Sequence, residues 1–358
     1  MPRLDLSTSA VELTRVICDI PSVSDEETPL ADAIDEAVRA SPHLDVHRDG
    51  DTIVARTHLG RDRRVVIAGH IDTVPINDNL PTRLIGSEED PVLWGRGTVD
   101  MKAGVAVQLV LAAELVAPRY DVTWMWYDHE EVAAERNGLT RLARVRPDLF
   151  AGDFAILGEP SNAEVEGGCN GNLRVMVRTH GVRSHSARSW IGENAIHKAA
   201  PILVRLAGYE PRTVAVDGLE YREGLNAVRI RGGVAGNVIP DLAEVEVNYR
   251  FAPSVSGEEA VQHVRDVFDG YEVEVLDLAE GARPGLDAPF AREFLAAVGT
   301  PARPKYGWTD VARFSAMGVP AVNYGPGDPM LAHHDQERVP LAQIEAVERG
   351  LRAWLTGA

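Results

Sequence analysis

Leu30, Ile34 and Val38 recur every fourth residue in TPLADAIDEAVRA, which puts three apolar side chains on one face of a helix. Other stretches are patterned differently. RRVVIAG (63–69), DVTWMWYD (121–128) and DFAILGEP (153–160) are short, nearly continuous apolar runs, and KAGVAVQLVLAAELVA (102–117) is a long one. The short runs predict strands buried on both faces and the long run a mostly buried helix. Their alternation predicts an α/β layer fold with a mostly parallel central sheet.

After GGCNGN (167–172) the rhythm changes. LRVMVRTHG reads as a strand, ENAIHKAAPILVRLAG as a helix, and AEVEVNYRF (243–251) alternates Val245, Val247, Tyr249 and Phe251 with Glu244, Glu246, Asn248 and Arg250. Strict alternation means one dry face and one wet one. GEEAVQHVRDVFD then reads as a helix and YEVEVLDL as a strand, so this stretch forms an α+β unit of about a hundred residues. Near Gly285 the first rhythm resumes, and it closes on the helix LAQIEAVERGLRAWL. The order predicts one domain from 1–171 and 286–358, interrupted by a second at 172–285.

Composition narrows the function. The chain has 358 residues, 45% hydrophobic and 25% charged, enough for two cores of ordinary globular type. Thirty-six basic against 54 acidic residues give a net charge of −18, which argues against nucleic acid or an anionic membrane surface as partner. Its plain explanation is solubility. Cys18 and Cys169 stand far apart without a CxxC pattern, which suits a reducing compartment. No stretch of eighteen apolar residues and no recognisable export signal occurs, so a cytoplasmic protein is expected.

Chemistry gathers at the ends of the predicted strands. In VVIAGHIDTVP, His70 and Asp72 are two residues apart and share a face at the carboxyl end of a buried strand, where α/β sheets build their sites. Alone, that pair suggests only a structural hydrogen bond. WGRGTVDMKAG sets Asp100 between a glycine-rich turn and a helix, DHEEVAAERNGL sets Glu130 and Glu131 after the next strand, and ILGEP sets Glu159 after another. Gly95, Gly97 and Gly104 lack the spacing of a nucleotide loop. Glu130 and Glu131 could cap a solvated helix start. Converging buried carboxylates repel one another unless a cation neutralises them. NYGPGDPMLAHHDQERV adds His333 and His334, and such a set of imidazoles and carboxylates suits one or two divalent metal ions.

AGHIDTVP, GRGTVDMKAG, DHEEVAAERNGL, ILGEPSN, GVRSHSARS, GNVIP and LAHHDQE, in that order, resemble the M20 family of di-zinc metallopeptidases and amidohydrolases over nearly the whole chain. The resemblance implies a zinc-exopeptidase-like catalytic domain with an inserted ferredoxin-like domain that serves as lid and dimerisation surface. It implies two divalent ions, zinc first and cobalt as the alternative. His70 and Glu159 would hold one, Glu131 and His333 the other, and Asp100 both. Glu130 would be the general base and Asp72 the group that orients His70. The family's alanine, histidine and a glutamate four residues on fit Ala332, His333 and Glu337, leaving His334 the less favoured ligand.

In the inserted domain the resemblance implies that His185 reaches the partner subunit's active site in a homodimer to stabilise an oxyanion, with Asn237 nearby against the substrate. GCNGNLRV, YREGLNAVRI, NYRFAP and KYGWTDVARF resemble one branch of the family, and that resemblance implies a small N-acyl amino-acid substrate with three carboxylates and one ammonium. Arg250, Arg188 and Thr309 are the candidates to hold those carboxylates. Ile71 stands where the family often has threonine and should face away from the metals. His129 stands where small or acidic residues are common, and it could perturb Glu130 or simply face a surface. The metal centre alone does not choose among family substrates, and acetylornithine is the rival. A zinc-binding protein without catalysis is the rival of another class, and an unligated Glu130 argues against it.

Overall fold

A computed structural model describes residues 3–357. They divide into two compact units: one runs through Gly167 and includes Gly285–Arg303 and Arg313 onward, and the other comprises Gly168–Pro284 and Pro304–Ala312.

The first unit is built on an eight-stranded sheet. Its middle is parallel. Arg64–His70 lies between Asp121–Tyr127 and Phe154–Leu157, and Ala321–Asn323 continues beyond the latter. Antiparallel strands flank this middle, with Thr52–Arg56 on one side and Val165–Gly167 on the other. Successive strands leave the His70 strand in opposite directions, so the carboxyl end of that strand is the switch point where an open α/β sheet leaves a crevice.

Helix Lys102–Glu114 is buried along nearly its whole length, as an all-round apolar sequence requires. It ends three residues before the apolar run does. Pro118 follows, and the residue ahead of a proline is disfavoured in a helix. Gly104 lets this helix touch the sheet: a Cβ there would lie 2.3 Å from the Gly158 carbonyl oxygen. Helices Ala10–Cys18, Pro289–Val298 and Leu341–Thr356 complete the same apolar core. Ile71 is fully buried within that core.

The second unit has the order β-α-β-β-α-β around an antiparallel four-stranded sheet: Gly224–Gly232, Leu242–Phe251, Gly171–His180 and Glu272–Ala279, side by side. One small hairpin, Thr213–Val216 with Leu219–Arg222, and one short pair, Ser184–His185 with Val238–Ile239, are added to this ferredoxin-like core. Helix Gly257–Val267 starts at a capping box formed by Ser256 and Glu259. Along Leu242–Phe251, Val245, Val247, Tyr249 and Phe251 are buried with the two helices, while Glu244, Asn248 and Arg250 are partly exposed. Glu246 departs from the alternation. It is 8% exposed and accepts a hydrogen bond from Arg174. Residues 304–312 are tied to this unit by bonds from the Asn170 amide to the Lys305 carbonyl and from Trp308 Nε1 to the Glu280 carbonyl.

Candidate metal centre

Strand register aligns the chemical groups. His70 pairs with Tyr127 and Ala68 with Leu157, so Glu159 stands level with His70 on one side and Glu130–Glu131 follow just past it on the other. Asp100 arrives from the turn that precedes helix Lys102–Glu114. His333, with φ of 63°, comes from the loop after Pro329–Leu331.

The resulting contacts are short. His70 Nε2 lies 3.0 Å from Asp100 Oδ1 and 4.0 Å from Glu159 Oε1. His333 Nε2 lies 3.3 Å from Asp100 Oδ2 and 2.9 Å from Glu131 Oε2. His70, Asp100 and Glu131 each offer one ligand atom, all within 4.8 Å of one another. His70 is 1% exposed, whereas the His333 side chain is 55% exposed, so one imidazole is fixed by the core and the other sits on the rim.

These groups fit a bound cation. His70 Nδ1 is 3.0 Å from the Asp72 carbonyl, to which it donates, so Nε2 turns its lone pair towards the Asp100 carboxylate. Lone pair against carboxylate is repulsive unless a proton or metal ion stands between them. Burial disfavours a charged His70, yet its bonds to Asp100 and Asp72 hold the ring pKa well above the ordinary imidazole value. Bonds to Asp100 and Glu131 push His333 up to about 10. Burial, followed by the charge of Asp100, raises Glu131. A cluster that takes up protons to relieve its own charge is the electrostatic counterpart of a divalent cation site.

Asp72 does more than face His70. Its Oδ1 lies 3.4 Å from His70 Nδ1, while its two oxygens accept the amides of Glu130 at 3.0 Å and Glu131 at 3.1 Å. Ser24 Oγ adds a third bond at 2.8 Å. His129, with φ of 60°, spends both ring nitrogens on Asp128, Glu27 and Asp25. Nδ1 is 2.7 Å from Asp128 Oδ2 and 3.2 Å from Glu27 Oε1, and Nε2 is 3.3 Å from Asp25. His334 uses Nδ1 within its own loop, accepting the Gln336 amide at 3.0 Å.

Two contributors are not apparent from strand-end reasoning. Met101 Sδ accepts the His70 amide at 3.3 Å. Glu337, fully buried, binds the amides of Val99 and Asp100. The recurring glutamate four residues after His333 is the one sequence signal for the latter.

In the second unit, His185 and Asn237 come together. Ser184–His185 pairs with Val238–Ile239, and the Ser186 amide donates to the Asn237 carbonyl at 2.9 Å. His185 Nδ1 accepts the Ala187 amide at 3.0 Å, which leaves Nε2 to carry the ring proton. His185, Arg188 and Asn237 are exposed, Arg250 is partly buried, and Thr309 is buried. Burial lowers the Arg250 pKa.

Fold and site together define a metal-dependent amidohydrolase. The chain belongs to peptidase family M20/M25/M40, whose model matches residues 66–356. It is 47% identical to the succinyl-diaminopimelate desuccinylase of Corynebacterium glutamicum, over 99% of this chain and 98% of that one. It is 52% identical to a Mycobacterium tuberculosis protein provisionally given the same name, over 99% and 100%. Among solved structures, a tripeptidase from Staphylococcus aureus superposes with a TM-score of 0.77 at 20% identity, covering 97% of this chain and 96% of that one, which is a likeness of fold.

Proposed function

We propose that this chain hydrolyses the amide of N-succinyl-LL-2,6-diaminopimelate, releasing succinate and LL-2,6-diaminopimelate, in diaminopimelate and lysine biosynthesis. The observation that carries this reading is the full-length identity of 47% with the C. glutamicum desuccinylase, set against 29–30% with fungal proteins named as carboxypeptidases.

His70 and Glu159 would hold one divalent ion, Glu131 and His333 the other, and Asp100 both. When bound, two such ions would lower the pKa of a water from ~15.7 towards ~7 and would polarise the amide carbonyl. Glu130 would take a proton from the attacking water as the water oxygen bonds to the carbonyl carbon. The C–N bond breaks as Glu130 hands the proton to the departing amine. Asp72 holds the Glu130 amide, which fixes where this base stands. His185 would donate from Nε2 to the developing oxyanion of the partner's site. Asn237, Arg250, Arg188 and Thr309 would contact the substrate's polar ends.

A homodimer is supported by the edge strand Gly224–Gly232, where Val228 is 57% and Ile230 51% exposed. Helix Ala195–Ala207 adds Val204, which is 69% exposed. A long edge strand with apolar side chains is a template for pairing. Zinc is the proposed metal and cobalt the alternative, since imidazole and carboxylate suit both. No helix among the described residues is long and apolar enough to cross a membrane, which is compatible with the proposed cytoplasmic location.

The test is a comparison of turnover on N-succinyl-LL-2,6-diaminopimelate and on acetylornithine by zinc- or cobalt-loaded protein. Equal or faster release of ornithine refutes the substrate assignment. If the loaded protein and its Glu130→Ala variant are equally inactive on every acyl amino acid, a non-catalytic metal protein is the better reading.

A further inference from the structure

Glu337 touches no proposed ligand atom, yet it organises the turn that carries one. Its Oε1 accepts two successive amides, Val99 at 2.9 Å and Asp100 at 3.0 Å, and its Oε2 accepts Arg96 Nη1 at 2.7 Å. Its own carbonyl accepts the Gly95 amide at 3.0 Å, and the strand Arg338–Pro340 continues antiparallel to Pro91–Trp94. Glu337 is 0% and Arg96 3% exposed, so the whole arrangement is dry. The two amides would otherwise be orphaned where buried donors require an acceptor.

The consequence is geometric. Asp100 is held by its backbone to residue 337, four positions along the chain from His333, while His333 Nε2 stands 3.3 Å from Asp100 Oδ2. The structure thus assigns Glu337 as a positioning residue: its carboxylate sets the Asp100 turn in register with the loop that bears His333, and so fixes the spacing of the shared metal position. Arg96 pairs with that carboxylate and offsets part of the charge it would add beside Asp100. This inference rests on the two-metal reading above and is independent of the substrate.

Removing Glu337 alone would strand a buried Arg96, so the test uses paired changes. Both variants carry Arg96→Met. One adds Glu337→Gln, whose amide oxygen can still accept the Val99 and Asp100 amides, and the other adds Glu337→Ala, which cannot. Cobalt(II) binding is measured by competition with a chromophoric chelator, with the d–d spectrum read in parallel. The parent binds two ions per chain; the glutamine variant stays within about threefold of it, and the alanine variant binds ~10- to 100-fold more weakly with an altered spectrum. Equal affinities in the two variants, whether both tight or both weak, overturn the positioning role. A merely structural pair would lower both melting temperatures without separating their cobalt affinities. A parent that binds fewer than two ions overturns the metal assignment itself.

Discussion

The carboxylate of Asp72 grips the backbone of Glu130: Oδ1 accepts the Glu130 amide at 3.0 Å, and Oδ2 accepts the next amide, that of Glu131, at 3.1 Å. The same residue receives the Nδ1 proton of His70 on its carbonyl. One residue thus spans the proposed base and one ligand of each ion, its carboxylate holding Glu130 and Glu131 and its carbonyl holding His70. Asp72→Ala should reduce kcat/KM and metal affinity together, each by ~10- to 100-fold. Asp72→Asn should do almost as much, because its NH2 group would face an amide donor. Kinetics with metal titration on the purified variants checks this, and wild-type metal affinity in Asp72→Ala would refute it.

Metal uptake should expel protons. In the metal-free fold, Asp100 and Glu131 push His333 up to about 10, and His70 stands well above its ordinary value. Both rings therefore favour the charged form in the metal-free fold and must be neutral to bind an ion. Loading two ions at pH 7 should release about two protons per chain, and apparent affinity should strengthen as pH rises. Calorimetry in buffers of different ionisation enthalpy measures the number, and His333→Asn should lower it by about one.

A second titration lies behind the site. Glu27 is 1% exposed, its Oε2 has no hydrogen-bond partner among the described residues, and burial pushes its carboxyl from 4.5 up to about 7. A raised folded-state pKa contributes stability that is complete below pH 4.5 and is lost as pH climbs through 7. His129, whose pKa is also raised despite its burial, by Asp128 above all, shifts stability in the same direction. Glu27→Gln imitates the protonated acid. Its melting temperature relative to the parent should rise steadily from pH 4.5 to about 7 and then level off; a constant difference would show that Glu27 is already ionised in the fold.

How much of this was legible depends on where each group gets its meaning. His70, Glu159 and the pair Glu130–Glu131 could be read as neighbours because apolar runs mark buried strands, and parallel register then aligns their carboxyl ends. The inserted unit announced itself by alternation in AEVEVNYRF. By contrast, the bonds from Asp72 to two amides and from Glu337 to two more involve backbone donors that every residue carries, so hydrophobic patterning does not signal them, and Glu337 is marked only by its place four residues after His333. The excursion at 304–312 was equally silent, since backbone and indole hydrogen bonds such as Asn170 to Lys305 hold it to the second unit. The hairpin of Arg83–Gly86 and Pro91–Trp94 carries only short apolar stretches, and Leu84 and Ile85 of its first strand are exposed.

Activity should depend on pairing if His185 acts across a dimer. Edge strand Gly224–Gly232 exposes Val228 and Ile230, and a charge at Ile230 would have to be desolvated in any strand pairing there. Ile230→Glu should therefore give monomers by sedimentation and lower kcat by at least about tenfold, with metal content unchanged, since every proposed ligand lies in the other unit. Complementation is the sharper measurement. Glu130→Ala lacks the base and His185→Ala the oxyanion donor, so a mixed dimer of the two inactive chains contains one site with both groups intact when His185 is donated by the partner. Exchanged dimers should recover up to about a quarter of parent activity under random mixing of equal amounts, since half the dimers are mixed and each has one working site. No recovery in dimers shown to have exchanged subunits would place His185 outside the partner's reaction.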